Sequence, residues 1–185
     1  MKKNFFLLLI FCCSCFVSHA QKFLTRQGVI RFFSEAPLEN IEAVNRQVVV
    51  LLNKQTGDVA VKVTIKAFEF QKAAMQEHFN RDYLHSDKYP LSAFEGKILN
   101  LTDWNNSLSR ENFQARVSGK LTIHNITREI TEYAFIKEEG NGVSVSLEFQ
   151  IQLTDYEIKV PSDKVRNISN NIKIFFHAKL EPYNP

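Results

Sequence analysis

VSVSLEFQIQL, residues 143–153, alternates apolar and polar side chains without a break. Successive side chains of a β-strand point to opposite faces, so this stretch has one apolar face and one polar face. The apolar face carries Val143, Val145, Leu147, Phe149, Ile151 and Leu153. This pattern predicts a strand of an antiparallel sheet whose one side lies in a core and whose other side meets water.

The same period of two recurs along the chain, in DVAVKVTIKA (58–67), ARVSGKLTI (115–123) and NIKIFFHAKL (171–180). The side chains predicted to point inward are Val59, Val61, Val63 and Ile65, then Ala115, Val117, Gly119, Leu121 and Ile123, then Ile172, Ile174, Phe176, Ala178 and Leu180. Less regular strand candidates are GVIRFF (28–33), RQVVVLL (46–52), FEGKIL (94–99) and EITEYAFI (129–136). Glycines in KQTGD (54–58) and EEGNG (138–142) favour tight turns between strands.

About eight strands with short connections predict a single all-β domain over residues 21–185, either an antiparallel barrel or a sandwich.

Two segments interrupt the alternation. FQKAAMQEHF (70–79) places apolar side chains at helical spacing and predicts a short amphipathic helix. LTDWNNSLSRENF (101–113) is polar, and we expect a loop at residues 103–106.

Residues 1–20, MKKNFFLLLIFCCSCFVSHA, have the charged start, apolar centre and small-x-small end of a secretory signal peptide. The apolar run is shorter than the roughly 20 residues that span a bilayer, so we expect cleavage and no stable membrane span afterwards. All three cysteines lie in this segment, which excludes disulfides and thiol chemistry from the remaining chain. The sequence thus predicts an exported protein, in a bacterial periplasm or outside the cell.

Charge argues against a polyanionic partner. Of the 23 basic residues two lie in the signal segment, which leaves 21 against 20 acidic residues, a net charge of +1. No cluster of lysine and arginine stands out, so we expect no nucleic-acid partner.

HFNRDYLHSDKYP (78–90) holds the densest set of reactive side chains and raises the question of a metal or catalytic site. His78 and His85 are seven residues apart, whereas local zinc sites place two histidines closer together on one face. Arg81 and Lys88 lie between and beside them and would oppose a cation. The chain also has no G-x-S-x-G, G-x-G-x-x-G or P-loop motif. We therefore expect no metal, no cofactor and no enzyme activity.

Apolar side chains give the better indication of function. Aromatic residues gather around the predicted helix, and for each of them a place in a packed core is the simplest explanation. An eight-stranded barrel is, however, wide enough to be filled by side chains or to hold one small apolar ligand. Aromatic residues near a helix that covers one barrel end are consistent with a lined pocket.

Three segments resemble the YceI-like, polyisoprenoid-binding family of exported bacterial proteins. They are FEFQKAAMQEHFNRDYLHSDKYPLSAFEGKI (68–98), VSGKLTIHNITREI (117–130) and FQIQLTDYEIKVP (149–161). Here the segment before Lys88-Tyr89-Pro90 is shorter than the family's usual pattern, and Asn125 stands where glycine is usual.

The resemblance implies a lipocalin-like antiparallel barrel of about eight strands, with a short helix near one mouth and a long apolar chain inside. The residues expected to line that interior are Phe68, Phe70, Met75, Phe79, Leu84, Phe94, Leu121, Ile123, Phe149 and Ile151. The implied partner is a small apolar lipid, held without catalysis. The sequence leaves homodimer formation open.

One alternative remains open at this point. If Phe68, Phe149 and Phe176 meet across the barrel axis, the interior is packed shut. The protein would then be a structural or interaction module of the cell envelope without a ligand.

Overall fold

The computed structural model describes residues 22–107 and 112–183. Their strands are β1 (Lys22–Glu35), β2 (Asn40–Asn53), β3 (Asp58–Thr64), β4 (Glu69–Phe70), β5 (Leu91–Ile98), β6 (Phe113–Ile123), β7 (Ile126–Glu139), β8 (Gly142–Gln152) and β9 (Asn171–Pro182). The α-helices are α1 (Ala73–His78) and α2 (Leu101–Asn106), with single helical turns at Ile65–Ala67, Phe79–Tyr83 and Leu153–Tyr156. The proposed signal segment, residues 1–20, lies outside the described residues and stays a prediction.

The strands form one closed antiparallel barrel. Its order is β1-β9-β8-β7-β6-β5-β3-β2, and β1 pairs with β2 as well as with β9, which closes the sheet on itself. The two-residue β4 pairs only with β2, so eight strands form the wall. The predicted all-β, lipocalin-like barrel with a short helix near one end is therefore confirmed.

The apolar faces point inward as the period of two predicts. Val143 of β8, Ala178 and Leu180 of β9 and Ala115 of β6 are almost completely buried. Burial of such side chains is the main favourable contribution to folding, at roughly 25 cal/mol per Å² of apolar surface removed from water.

Turn residues fix the pairing of neighbouring strands. Gly57, between β2 and β3, has a φ of 77°, and Gly140, between β7 and β8, has a φ of 59°. His124 and Asn125, between β6 and β7, both have positive φ, so the asparagine takes over the conformation that glycine usually supplies. Gly142, in contrast, has ordinary φ; a Cβ there would lie 2.7 Å from the Leu180 carbonyl oxygen, so close strand approach explains this glycine.

Two expectations for the helical segments need correction. Residues 103–106 are part of α2 and not a loop, because Trp104 is buried and its ring stacks on Phe113 at 6.4 Å. Lys54 lies 5.0 Å from the centre of the Trp104 ring and covers it from outside. The helix expected over 70–79 is shorter as an α-helix, 73–78, and continues as a wider π turn at Phe79–Tyr83.

Two wall strands approach each other closely where Gly96 of β5 faces Gly119 of β6. A Cβ on Gly119 would lie 2.3 Å from the Glu95 carbonyl oxygen and 2.4 Å from the Gly96 Cα. A Cβ on Gly96 would lie 2.5 Å from the ring of Phe94, which covers this glycine from within its own strand. The pair thus lets the barrel wall bend tightly.

Gly119→Val should destabilise the barrel because its side chain collides with backbone that cannot move without breaking the β5–β6 ladder. We expect the free energy of unfolding to fall by about 1–3 kcal/mol, measured by urea denaturation. Gly140→Asn is the matched control, since Gly140 has no neighbour within 4 Å of a Cβ and asparagine adopts positive φ readily. Equal stability of the Gly119 variant and the parent would refute this account of the wall.

Candidate ligand-binding cavity

Among the cavities formed by the described residues, two lie inside the barrel and share part of their walls. The larger, about 400 Å³, lies at the end covered by α1, which we call the mouth. The smaller, about 130 Å³, extends toward the end that carries the β2–β3 and β7–β8 turns. The residues that line both are Ile30, Val63, Ser92, Leu121 and Phe149. Together they make an elongated space within the roughly 300–1,000 Å³ typical of ligand pockets.

The structure places all ten residues proposed from the sequence on these walls. Those that line the larger cavity are Phe68, Phe70, Met75, Phe79, Leu84, Leu121, Ile123, Phe149 and Ile151. Phe94 lines the smaller cavity instead. That they contact a ligand remains a prediction.

Sequence reasoning missed other lining residues of the larger cavity, among them Phe32, Tyr83, Ile158 and Ile168. Phe32 lies in GVIRFF, where both faces are apolar and the phase of the strand is ambiguous. Ile158 and Ile168 belong to a segment without periodicity between the turn at Leu153–Tyr156 and β9. Only their apolar character in a polar loop could have indicated burial.

The four rings of Phe32, Phe68, Phe70 and Phe79 form one cluster at the mouth. The Phe79 ring lies 5.0 Å from Phe70, 5.5 Å from Phe68 and 5.6 Å from Phe32, measured between ring centres. Aromatic pairs at such distances contribute about 0.5–1.5 kcal/mol each beyond the burial of their surface. Phe79 therefore anchors the chain over the mouth.

The π turn places Phe79 in that position. The Leu84 amide donates a hydrogen bond to the Phe79 carbonyl at 2.9 Å, five residues back, and this wider turn brings Leu84 into the interior, where it is buried. Single π turns inside helices occur frequently at functional sites. We call residues 73–90, which hold α1, the π turn and the return to β5, the lid segment.

Most charged side chains of the lid segment lie on its outer face, and His78 also borders the larger cavity. Arg81 Nε donates to Asp82 Oδ1 at 2.7 Å and also pairs with Glu77, while His78 Nδ1 lies 2.7 Å from Asp82 Oδ2. Asp87 pairs with Lys66, outside the lid segment. Exposed ion pairs of this kind contribute little to stability, with a median of about 0–1 kcal/mol.

Asp82 and Tyr83, which are neighbours in the lid segment, both have shifted pKa values. Hydrogen bonds from Arg81 and then from His78 lower the pKa of the Asp82 carboxyl to about 2. Burial beside the larger cavity raises the pKa of the Tyr83 hydroxyl, with a smaller contribution from the charge of Asp82. Tyr83 lines the larger cavity, whereas the ionised carboxylate of Asp82 lies at the protein surface.

His85 does not converge with His78. Its Nδ1 lies 2.8 Å from the Nε2 of His124, and the Tyr89 ring packs edge-on against His124 at 4.8 Å. These contacts tie the lid segment to the turn between β6 and β7. Within residues 22–107 and 112–183, no three histidine, cysteine, aspartate or glutamate side chains are grouped as a metal would need.

One part of the barrel wall is only partly sealed. The ladder between β7 and β8 runs from Glu139 and Gly142 to Phe135 and Ser146 and ends there. Residues 126–134 of β7 and 147–152 of β8, all of them described, have no ladder pairing with each other. Nearer the mouth the gap is bridged, because Arg128 Nε donates to the Asp155 carbonyl oxygen at 2.9 Å.

Fold and cavity together define a lipocalin-like β-barrel with an apolar interior. The model of the YceI-like domain matches residues 18–180, and the chain belongs to that family. No curated protein sequence matches the chain.

Solved structures of low sequence identity share the fold. A polyisoprenoid-binding domain from Saccharophagus degradans, implicated in plant cell wall breakdown, is 12% identical with a TM-score of 0.76, covering 89% of this chain and 99% of its own. BcnA from Burkholderia cenocepacia is 14% identical with a TM-score of 0.67, covering 83% and 95%. The YCEI protein of Campylobacter jejuni is 17% identical with a TM-score of 0.55, covering 72% of this chain and 78% of its own.

In the described part of the chain, no helix is long and apolar enough to cross a membrane.

The hydrogen bonds to Asp82 make a measurable prediction. Because its pKa of about 2 in the folded protein lies below the ordinary 3.8, the pairing stabilises the lid segment above pH 4 and is lost as the pH falls toward 2. An NMR titration of the carboxyl carbons should give this pKa. Arg81→Gln should move it back toward the ordinary value, and an unchanged pKa in that variant would contradict the assignment.

Proposed function

We propose that this protein is exported to the bacterial periplasm and binds one long apolar chain, a polyisoprenoid or another lipid, inside the barrel. The observation that carries the proposal is the elongated apolar cavity beneath the cluster of four phenylalanine rings at the mouth. The relative from Saccharophagus degradans is described as polyisoprenoid-binding, which supports the same ligand class here. The sequence pattern of residues 1–20 supports export.

Binding of this kind needs no reactive group. Each CH₂ moved from water into an apolar site contributes about 0.8 kcal/mol, so several carbons offset the loss of motional freedom on association. The walls of both cavities consist mainly of aliphatic and aromatic side chains. The chemistry expected of such a site is storage or transfer of a lipid.

The alternative of a barrel packed shut is less well supported. Phe68 lines the larger cavity, Phe176 the smaller and Phe149 both, so these three side chains border the interior space and do not fill it. A module that acted only through its outer surface would gain stability from a filled core, because cavities cost packing free energy.

Extraction of the purified protein tests the proposal directly. We expect mass spectrometry of an organic extract, from protein purified without detergent, to reveal a co-purified lipid. Protein stripped of lipid by organic extraction and refolded should take up a long-chain prenol from cyclodextrin. Absence of both a co-purified lipid and uptake would refute the proposed function.

Phe79→Asp should abolish lipid uptake, since a carboxylate would replace the ring that contacts Phe32, Phe68 and Phe70 over the mouth. Phe135→Asp is the matched control: the same change on an outward-facing ring that is 48% exposed. We expect at least a tenfold loss of uptake in the first variant, and uptake within about twofold of the parent in the second, since surface changes rarely disturb a core. Equal uptake by the two variants would exclude a role for the lid.

A further inference from the structure

A glutamate, Glu132, interrupts the series of apolar residues that line the smaller cavity. On β7 the inward positions are Ile130, Glu132, Ala134 and Ile136, and all four line this cavity. Glu132 thus occupies an inward position at which the alternation of the strand predicts an apolar residue. The remaining lining residues of the smaller cavity are apolar except for Ser92.

Glu132 has neither a hydrogen bond nor an ion pair with any described residue. Burial alone raises the pKa of its carboxyl, and no neighbouring cation counteracts this effect. A protonated carboxyl both donates and accepts a hydrogen bond, whereas an ionised one only accepts. Leaving it without a partner in an apolar cavity costs free energy that a leucine at the same position would not.

Ser92 is a second polar group of the interior without a partner. Its side chain is 8% exposed, its Oγ has no hydrogen-bond partner, and it lines the stretch common to both cavities. Strand register pairs Ala93, the neighbour of Ser92, with Thr122 and pairs Glu132 with Val117, so Ser92 lies about six residues along β6 from Glu132. Six residues of strand correspond to roughly 20 Å, so the two polar groups mark separate levels along the cavity.

We propose that Glu132 is the inner polar anchor of the ligand site and binds an uncharged hydrogen-bonding group, such as a hydroxyl, at the inner end of the bound chain. This inference rests on the proposed lipid-binding function and deepens it. It also fixes an orientation: the neutral polar end lies deep in the smaller cavity, and the apolar tail lies under the phenylalanine cluster of the mouth. A phosphorylated end is disfavoured at this place, because two anionic groups would meet in an apolar cavity.

A competition between two ligands tests the anchor. Lipid-free protein is incubated with equal amounts of geranylgeraniol and the hydrocarbon of the same chain, delivered from cyclodextrin, and the bound ratio is measured by mass spectrometry of the extract. The parent protein should favour the alcohol about three- to tenfold, the effect of one hydrogen bond in an apolar site. Glu132→Leu should bring the ratio to about one while total uptake persists, and Glu132→Gln, which keeps a donor and an acceptor, should retain most of the preference.

The outcomes separate the two proposals. Uptake of both ligands by the parent with an unchanged ratio in Glu132→Leu refutes the anchor and leaves lipid binding intact; the inward carboxyl would then protect the unpaired edge of β7 from aggregation. Uptake of neither ligand by the parent refutes lipid binding, and the anchor with it. If the leucine variant does not fold, Glu132→Ala, which removes the carboxyl without adding volume, is read by the same ratio.

Discussion

Closure of the sheet through β1 sets the width of the interior. Once β1 pairs with both β2 and β9, the number of strands fixes the circumference, and side chains can only fill the space or leave it open. Several inward positions carry small residues, namely Ala43, Ala115, Ala134 and Ala178, each almost completely buried. Of these, Ala134 lines the smaller cavity together with Ala93 of β5, where longer side chains would occupy the space. The cavity therefore follows from the wall geometry together with the choice of inward residues.

The lid depends on apolar contacts much more than on its charges. Phe79 makes ring contacts with three other phenylalanines, while the ion pairs around Arg81 lie in water on the outer face. Opening the mouth would expose the rings at considerable cost, whereas water would replace most of the lost electrostatic energy. A bound apolar chain that extends the ring cluster would hold the lid closed further. Most of the reactive side chains at residues 78–90 thus lie on the solvent-exposed face of the lid segment.

The sequence allowed the barrel and its inward faces to be predicted because period-two alternation is a local property of each strand. It also placed the ten proposed lining residues, since strand phase and position next to a helix determine which side chains point inward. It failed at Trp104, where one buried ring organises a helix in an otherwise polar segment. It missed Ile158 and Ile168 because their burial depends on how a loop folds back over the mouth. The end of the β7–β8 ladder and the resulting gap depend on long-range pairing, which no local pattern contains.

Two departures from regular barrel construction coincide on β7. Its ladder with β8 ends at Phe135, and three residues earlier Glu132 is part of the largely apolar wall of the smaller cavity. Each departure costs stability, the first through unpaired backbone and the second through a half-buried carboxyl group without a partner among the described residues. Sites where local rules are broken without a compensating contact within the protein are commonly functional. A ligand with a neutral polar end would supply the missing partner to Glu132. The residues that lower the stability of the ligand-free protein, 132–135 of β7, would then be the same residues that hold the polar end of the ligand.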